Sequence, residues 1–378
     1  MNFVRKKGEV LYPFTKELAQ EIVERTMKIL GRNINVMDRE GVIIGSGDKE
    51  RIGDVHEGAL LVLKENKTVE IDERSVWRLN GVKMGINLPI HFLGETVGVI
   101  GITGHPDDIR EYAHLVKMAA ELVLQQSFFL EQGQWKQRLT EELINQLIFD
   151  DHIEEERFLK RAKTLGIDLS LPRFMVVIET PEQQIRFFRV LTYELEQEDV
   201  AAFTYASEIA VLKWAPHKEK SIGDVIHAAE RWARKMPGGK IGIGPYGANI
   251  GEFRYSYTLA KQAVKIGRKI YPNERVYYYE NIALEMVLSH IGELPLAKQF
   301  FSFYEELLCQ DETGELQETL STYIEEKGEL NKTANKLFIH RNTLRYRLEK
   351  IRRITGKDPY NAKDLLQLYA ALIIYRLR

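Results

Sequence analysis

A chain of 378 residues suits two or three domains, and 44% hydrophobic with 29% charged residues is the make-up of an ordinary globular protein with ample core. Its 53 basic and 55 acidic side chains leave a net charge of -2, which excludes polyanion binding by the molecule as a whole, and its single cysteine, Cys309, excludes a disulfide framework and a cysteine-based zinc site. No apolar run approaches the ~20 residues of a membrane span, and the opening MNFVRKKGEVLYPF lacks a signal peptide's apolar core, so a cytoplasmic protein with no membrane partner is expected.

Thr15 to Leu30 reads as a helix, with Thr15 as cap, Leu18, Ile22 and Ile29 on one face and Gly31 at the end. Ile34 to Met37 and Val42 to Gly45 read as a hairpin across the turn Asp38-Arg39-Glu40-Gly41. A helix is expected within Ile52 to Lys64, starting near Asp54, and strands at Thr68 to Ile71, Val82 to Ile90 and Thr96 to Thr103. Short strands mixed with a few helices predict a small PAS-like α/β sensor domain, residues 1–135 including the start of the next helix.

This region also carries a candidate binding cluster, Gly45-Ser46-Gly47-Asp48-Lys49-Glu50-Arg51-Ile52-Gly53-Asp54-Val55-His56. Gly-rich turns such as that at Gly53 leave backbone N–H groups free, and a helix start near Asp54 is a site for anions. Arg51 can fork a carboxylate, and His56 adds a donor. Gly85-Ile86-Asn87-Leu88-Pro89 and Gly98 to His105 are strands punctuated by glycine, where a ligand can approach the backbone. Asn87 and the turn Ile102-Thr103-Gly104 would then read hydroxyls and a second carboxylate. The plainer alternative is that the glycines only make turns and Arg51 is solvated.

From Ile109 towards Phe149 the pattern is helical. Leu115, Ala119, Leu122, Gln126 and Phe129 keep a 4-3-4-3 spacing, and Leu139, Leu143 and Leu147 resume it past Gly133. Packing helices or a dimer-forming signalling helix both fit, and the place directly after the sensor favours the second. Residues 136–282 form a middle α/β unit. Its expected strands are Arg173 to Glu179, Val200 to Tyr205, Ile209 to Trp214, Lys240 to Gly244 and Val276 to Tyr279; its helices are Glu182 to Gln197, Ile222 to Lys235 and Phe253 to Ile270.

Residues 283–378 are all-α. Leu316, Leu320, Tyr323 and Ile324 mark a support helix, and Asn361 with Asp364 caps a last one carrying Leu365, Leu368, Tyr369 and Leu372. Between them, Asn331 caps a short helix, NKTANKL, with Ala334 and Leu337 on its buried side. Phe338-Ile339-His340 breaks it, and a longer helix runs from Arg341 to Thr355, stopping at Gly356 with Pro359 beyond. Leu344, Leu348 and Ile351 give its buried stripe, and the other faces are basic. This is the layout of a helix-turn-helix DNA reader. His340, Arg341, Asn342, Thr343, Arg345 and Tyr346 sit at the start of the second helix, where side chains reach base edges; Lys332 and Lys336 are placed for phosphate. A solvated, charged helix hairpin is the alternative on charge alone.

IHRNTLRYRLEKI followed by TGKDP resembles the C-terminal helix-turn-helix of the sugar-diacid regulators, the CdaR and PucR group. The segments NINVMDREGVIIGSGDKERIGDVHEGA and GINLPI…GVIGITG resemble that family's sugar-diacid recognition domain, and the middle unit resembles its degenerate GGDEF-like domain. The pairing of Arg51 with His56 is also similar to that of carboxylate-sensing PAS domains of citrate-type sensor kinases. The resemblance implies a transcription regulator, an activator of diacid catabolism, with double-stranded operator DNA and a glycerate-, glucarate- or galactarate-like inducer as partners and a homo-oligomer as its working form. The same architecture serving purine or amino-acid catabolism is the rival reading. An enzyme, a nucleotide cyclase or phosphodiesterase, is less well supported: the hairpin turn offers only Ser207 and Glu208 for metal and phosphate, and no nucleophile, zincin or P-loop pattern occurs. No cofactor and no metal are expected.

Overall fold

Thr15 accepts the N–H of Leu18 at the start of α1 (Lys16–Leu30), and Gly31 closes the helix in the left-handed conformation. The computed structural model describes residues 14–79, 82–180 and 184–377. The opening segment examined for a signal peptide lies outside them up to Pro13. The chain forms two compact units, residues 1–136 and 137–378.

In the first unit α1 is followed by β1 (Ile34–Met37), β2 (Ile43–Ser46), a 3-10 turn (Lys49–Arg51), α2 (Glu57–Glu65), β3 (Val69–Ile71), α3 (Glu73–Val76), β4 (Gly85–Phe92) and β5 (Glu95–Thr103). The strands make one antiparallel sheet in the order β2-β1-β5-β4-β3. Alternation along each strand sorts the side chains. Ile34, Val36, Ile86, Leu88, Ile90, Ile100 and Ile102 pack with α1 and the first half of α4 (Pro106–Phe149). Met37, Ile43 and Val99 face α2 through Ala59 and Val62.

Several expectations change here. The helix expected from Asp54 starts at Glu57, because residues 53–56 are held extended along β2: Gly53 N–H donates to Ile43, Ile43 N–H to Asp54 and His56 N–H to Gly41. β4 begins at Gly85 rather than Val82, and α3, capped by Asp72, was not expected. The first part of the stripe read along α4, Leu115 to Phe129, is not its packed face, whereas Leu143 and Leu147 of its second part are buried. Ile109, Ala113, Val116, Ala120 and Leu124 enter the core, while Leu115, Leu122 and Phe129 are exposed together with Tyr112 and Met118. α4 continues unbroken through Gly133.

In the second unit Leu143, Ile144 and Leu147 of α4 are buried with Phe158 of α5 (Glu155–Thr164) against a second sheet. Its strands are β6 (Arg173–Glu179), β7 (Val200–Phe203), β8 (Ile209–Trp214), β9 (Lys240–Gly247) and β10 (Val276–Tyr278), in the order β10-β9-β6-β8-β7, with β10 parallel to β9 and the other neighbours antiparallel. α6 (Gln184–Thr192) and α7 (Lys218–Lys235) cover one face; α8 (Ile250–Ile270), capped by Asn249, covers the other with α5. Glu182 and Gln183, the expected start of α6, lie outside the described residues.

The C-terminal helices are α9 (Ala283–Gly292), α10 (Pro295–Phe300), α11 (Ser302–Gln310), α12 (Glu315–Glu325), α13 (Leu330–Lys336), α14 (Arg341–Thr355) and α15 (Ala362–Leu377). Leu344, Leu348 and Ile351 of α14 share a core with Leu316, Leu320 and Tyr323 of α12 and Leu368 and Leu372 of α15. Ala263, Val264 and Ile270 of α8 belong to the same core, so the division at residue 282 falls inside one compact unit. Asn361 caps α15 through the N–H groups of Lys363 and Asp364. Asn331 does not cap α13. A left-handed turn at Lys327 and Gly328 starts that helix earlier, with Glu329 at the cap position.

Candidate functional sites

On the α2 face of the first sheet, strand register builds a polar row. Ser46 pairs with Asn35, Asn35 with Gly101 and Gly101 with Asn87, in one line across β2, β1, β5 and β4. Ser46 Oγ donates to Asn35 Oδ1 at 2.6 Å, Asn33 Nδ2 reaches the same oxygen at 3.4 Å, and Asp48 N–H donates to Ser46 Oγ at 3.0 Å. Asn87 is 3% exposed, yet its Oδ1 has no hydrogen-bond partner. A buried acceptor left unpaired costs about 1–3 kcal/mol. Gly101 makes room for it, since a Cβ there would lie 2.6 Å from Asn87 Oδ1.

His56 joins this row from α2. A Cβ on Gly58 would lie 2.7 Å from Ile71 Cδ1, 3.0 Å from Asn87 Nδ2 and 3.1 Å from His56 Cε1, so the Asn87 and His56 side chains both pack close against this glycine. His56 caps α2, its Nδ1 accepting the N–H of Ala59 at 3.2 Å. Burial, followed by the charge of Arg51, lowers its pKa from 6.5 to about 4. The neutral ring therefore carries its proton on Nε2 and offers a donor. Arg51 is half-buried in the 3-10 turn, within electrostatic reach of His56.

Of the residues singled out in the sequence, Arg51, His56 and Asn87 are thus brought together, and Thr103 lies on the Asn87 face, one pleat beyond Gly101. Ile102 is a correction: it points to the opposite face, into the core with α1 and α4, because strand alternation turns it away from Asn87. Gly53 adopts a φ of 103°, but its N–H is spent on Ile43; the N–H groups of Thr103 and Gly104 are likewise spent on Asn33 and Met84. These backbone donors serve the sheet and its turns. Asn35 and Gly58 were missed, while Ser46 and Gly101 had been noted only as parts of glycine-rich segments. An asparagine inside the apolar strand INVM was the available signal.

In the second unit the β7–β8 turn is closed by protein. Glu208, 4% exposed, accepts from the Tyr257 hydroxyl and pairs with Lys261 at 2.9 Å. Burial, reinforced by Glu208, pushes the Tyr257 phenol up. Asn145 of α4 donates to Phe203 O and accepts from Tyr205 N–H, and Phe149 stacks on Tyr205. Glu179 at the end of β6 is paired with Arg268. A cavity of about 400 Å³ lies elsewhere in this unit, lined by Glu230, Arg234, Glu274, Arg275, Tyr278 and Asn281. None of its lining side chains has an unpartnered buried polar atom, so it presents no unmet bonding demand of the kind seen at Asn87. Among the described residues no group of three or more His, Cys, Asp or Glu could hold a metal ion.

The helix-turn-helix exposes one continuous set. His340 caps α14, its Nδ1 accepting from Asn342 N–H, and Arg341, Asn342, Thr343, Arg345 and Tyr346 all point to solvent. Lys332 pairs with Glu329, and Lys336 with Glu325 and Glu326. Exposed pairs of this kind are weak and exchange readily for phosphate. Arg347 is structural instead, its guanidinium tucked against Glu315 and Thr319. Tyr360, not singled out in the sequence, lies within electrostatic reach of Arg345 and Arg341; burial raises its hydroxyl and the two cations oppose this.

Comparison with known proteins places these parts. Residues 14–147 match a family model for sugar diacid recognition, residues 150–266 a GGDEF-like domain and residues 316–374 the PucR C-terminal helix-turn-helix domain. The Carbohydrate diacid regulator of Escherichia coli (strain K12) is 36% identical, covering 94% of this chain and 96% of its own. An uncharacterised Haemophilus influenzae protein is 34% identical over 95% of this chain and 98% of its own. The Purine catabolism regulatory protein of Bacillus subtilis is 32% identical over 27% of this chain and 19% of its own length.

Proposed function

Because this chain belongs to the carbohydrate diacid regulators, we propose that it is a cytoplasmic, ligand-responsive activator of diacid catabolism whose PAS-like first domain binds a hydroxy-carboxylate such as glycerate, glucarate or galactarate. The observation that carries this reading is the unpartnered Asn87 acceptor beside a neutral His56 and the Arg51 guanidinium. A polyhydroxy acid brings the hydroxyl donor that Asn87 Oδ1 lacks, an oxygen suited to His56 Nε2–H and a carboxylate of the shape that a guanidinium such as that of Arg51 can fork. The antiparallel sheet with its last strand in the centre supports the PAS-like assignment. The uncharged, exposed stripe Tyr112, Leu115, Met118, Leu122 and Phe129 supports a homo-oligomer joined along α4, and two recognition helices give an operator useful specificity. The middle domain is read as a structural spacer rather than a cyclase, its carboxylates being already paired.

Calorimetry of the full chain with glycerate, glucarate and galactarate tests the ligand. Binding should weaken by more than tenfold in Arg51→Ala, since truncating one partner of a buried charge pair costs about 2–5 kcal/mol, and Arg51→Lys should also bind poorly for want of a planar fork. Equal affinity in wild type and both variants would move the site away from Arg51. Binding of a purine or an amino acid in place of all three acids would favour the rival inducer class.

A further inference from the structure

We propose that Phe338, in the turn between α13 and α14, is a DNA-contacting residue whose ring packs against a thymine methyl beside the bases faced by α14. The inference rests on the operator-binding reading above. Phe338 has a φ of 54°, in the left-handed region that bulky side chains avoid. It terminates α13 there: Phe338 N–H donates to Asn335 O at 3.2 Å and Ile339 N–H to Ala334 O at 3.0 Å. The left-handed ends of α1, α2 and α14 use Gly31, Asn66 and Gly356 instead, the residue types that take this backbone without strain.

The ring gains nothing inside the molecule in return. It is 96% exposed, while its neighbours Leu337 and Ile339 are turned inward against the core. Two local costs therefore fall on one residue, a strained backbone and an unburied aromatic ring, immediately before the cap of the recognition helix. The surroundings say what covers it. From Leu330 to Leu348 the chain has no acidic residue, and Lys336, His340, Arg341 and Asn342 are exposed on either side, Lys336 in exposed pairs with Glu325 and Glu326 of α12 that a phosphate can replace. A second copy of this surface would be repelled, whereas DNA is attracted. An apolar side chain held at the major groove finds one apolar partner on the base edges, the C5-methyl of thymine.

The test begins with operators selected from random duplex DNA by the full-length protein. Phe338→Gly should leave the thermal midpoint equal to or above that of wild type, since glycine relieves the left-handed strain, while operator affinity falls at least tenfold. Phe338→Leu should retain most of that affinity. Replacing one operator thymine by deoxyuracil should weaken wild type and leave Phe338→Gly unchanged. Unchanged operator affinity in Phe338→Gly overturns the proposal, as does an affinity loss that no deoxyuracil position reproduces. Loss of sequence preference in Arg345→Ala, with none in Phe338→Gly, would leave the DNA-binding reading standing and remove Phe338 from it. A wild-type chain that selects no sequence would overturn both.

Discussion

The α2 face of the first sheet and the β7–β8 turn of the second unit are both buried and polar, and they differ in how their groups are satisfied. Around Glu208 the carboxylate holds a phenol and an ammonium, and Asn145 satisfies both the donor and the acceptor side of the neighbouring backbone. Around Asn87 an acceptor is left unpaired and an imidazole is kept neutral. Unmet hydrogen-bonding demand is a standing cost in the free protein and a source of affinity when a complementary ligand arrives. At the turn the charged group is paired on both sides, and the acceptor left over is the neutral Thr204 hydroxyl, so its carboxylate contributes rigidity rather than an open site. The contrast is one of chemistry and not of architecture, since both clusters lie on five-stranded sheets.

The comparison can be broken most severely through pH. His56 titrates at about 4 in the folded protein and near 6.5 when unfolded. The unfolded chain therefore takes up a proton that the folded chain refuses, and stability is lost as pH falls from about 6.5 towards 4, by about 3 kcal/mol in all. His56→Asn keeps a side-chain acceptor at the cap position and removes the titration. Denaturant unfolding at neutral pH and at about pH 4.5 should show a shallower fall for the variant; parallel falls would exonerate His56.

A smaller effect is expected at the Glu208 cluster. Glu208→Ala strands Tyr257 and Lys261 and should cost about 2 kcal/mol, the scale of hydrogen bonds to a charged group. It stays below the ~3–5 kcal/mol of a fully buried pair because half-exposed Lys261 can rehydrate. Diacid affinity should not change, and a change would mean that the two clusters are not separate in function. Smallest in stability is Asn87→Leu. Replacing an under-satisfied amide by an apolar side chain of similar size should alter folding by less than about 1 kcal/mol, while calorimetry shows diacid affinity reduced at least tenfold. A large loss of stability with affinity intact would make Asn87 structural.

The helix-turn-helix was legible almost to the residue. The break at Phe338-Ile339-His340, the span Arg341 to Thr355, the Gly356 cap and the buried Leu344, Leu348 and Ile351 are all local features, written in 3.6-residue periodicity and in a cap. The exception, Asn331, is also local: a left-handed turn at Lys327 and Gly328 moved the helix start, and although glycine takes that conformation readily, nothing in the residue type marks Lys327 for it.

The amino-acid sequence by itself determined the succession of two α/β units and a helical end with a basic helix-turn-helix, because periodicity, caps and motif spacing act over a few residues at a time; resemblance to a family added the sugar-diacid and GGDEF-like labels. It did not determine which face of α4 is packed, since Leu115, Leu122 and Phe129 form as good a stripe as the face that is buried. Nor did it assemble the candidate site of the first unit. Asn35, Ser46, Asn87 and Gly101 are neighbours only through the register of four strands, and His56 reaches them only because residues 53–56 bond to β2 and delay α2. Register and side-chain direction are set by long-range pairing, in which a shift of one residue turns every side chain to the other face. The tertiary structure alone therefore decided which polar residues meet and which of them is left without a partner.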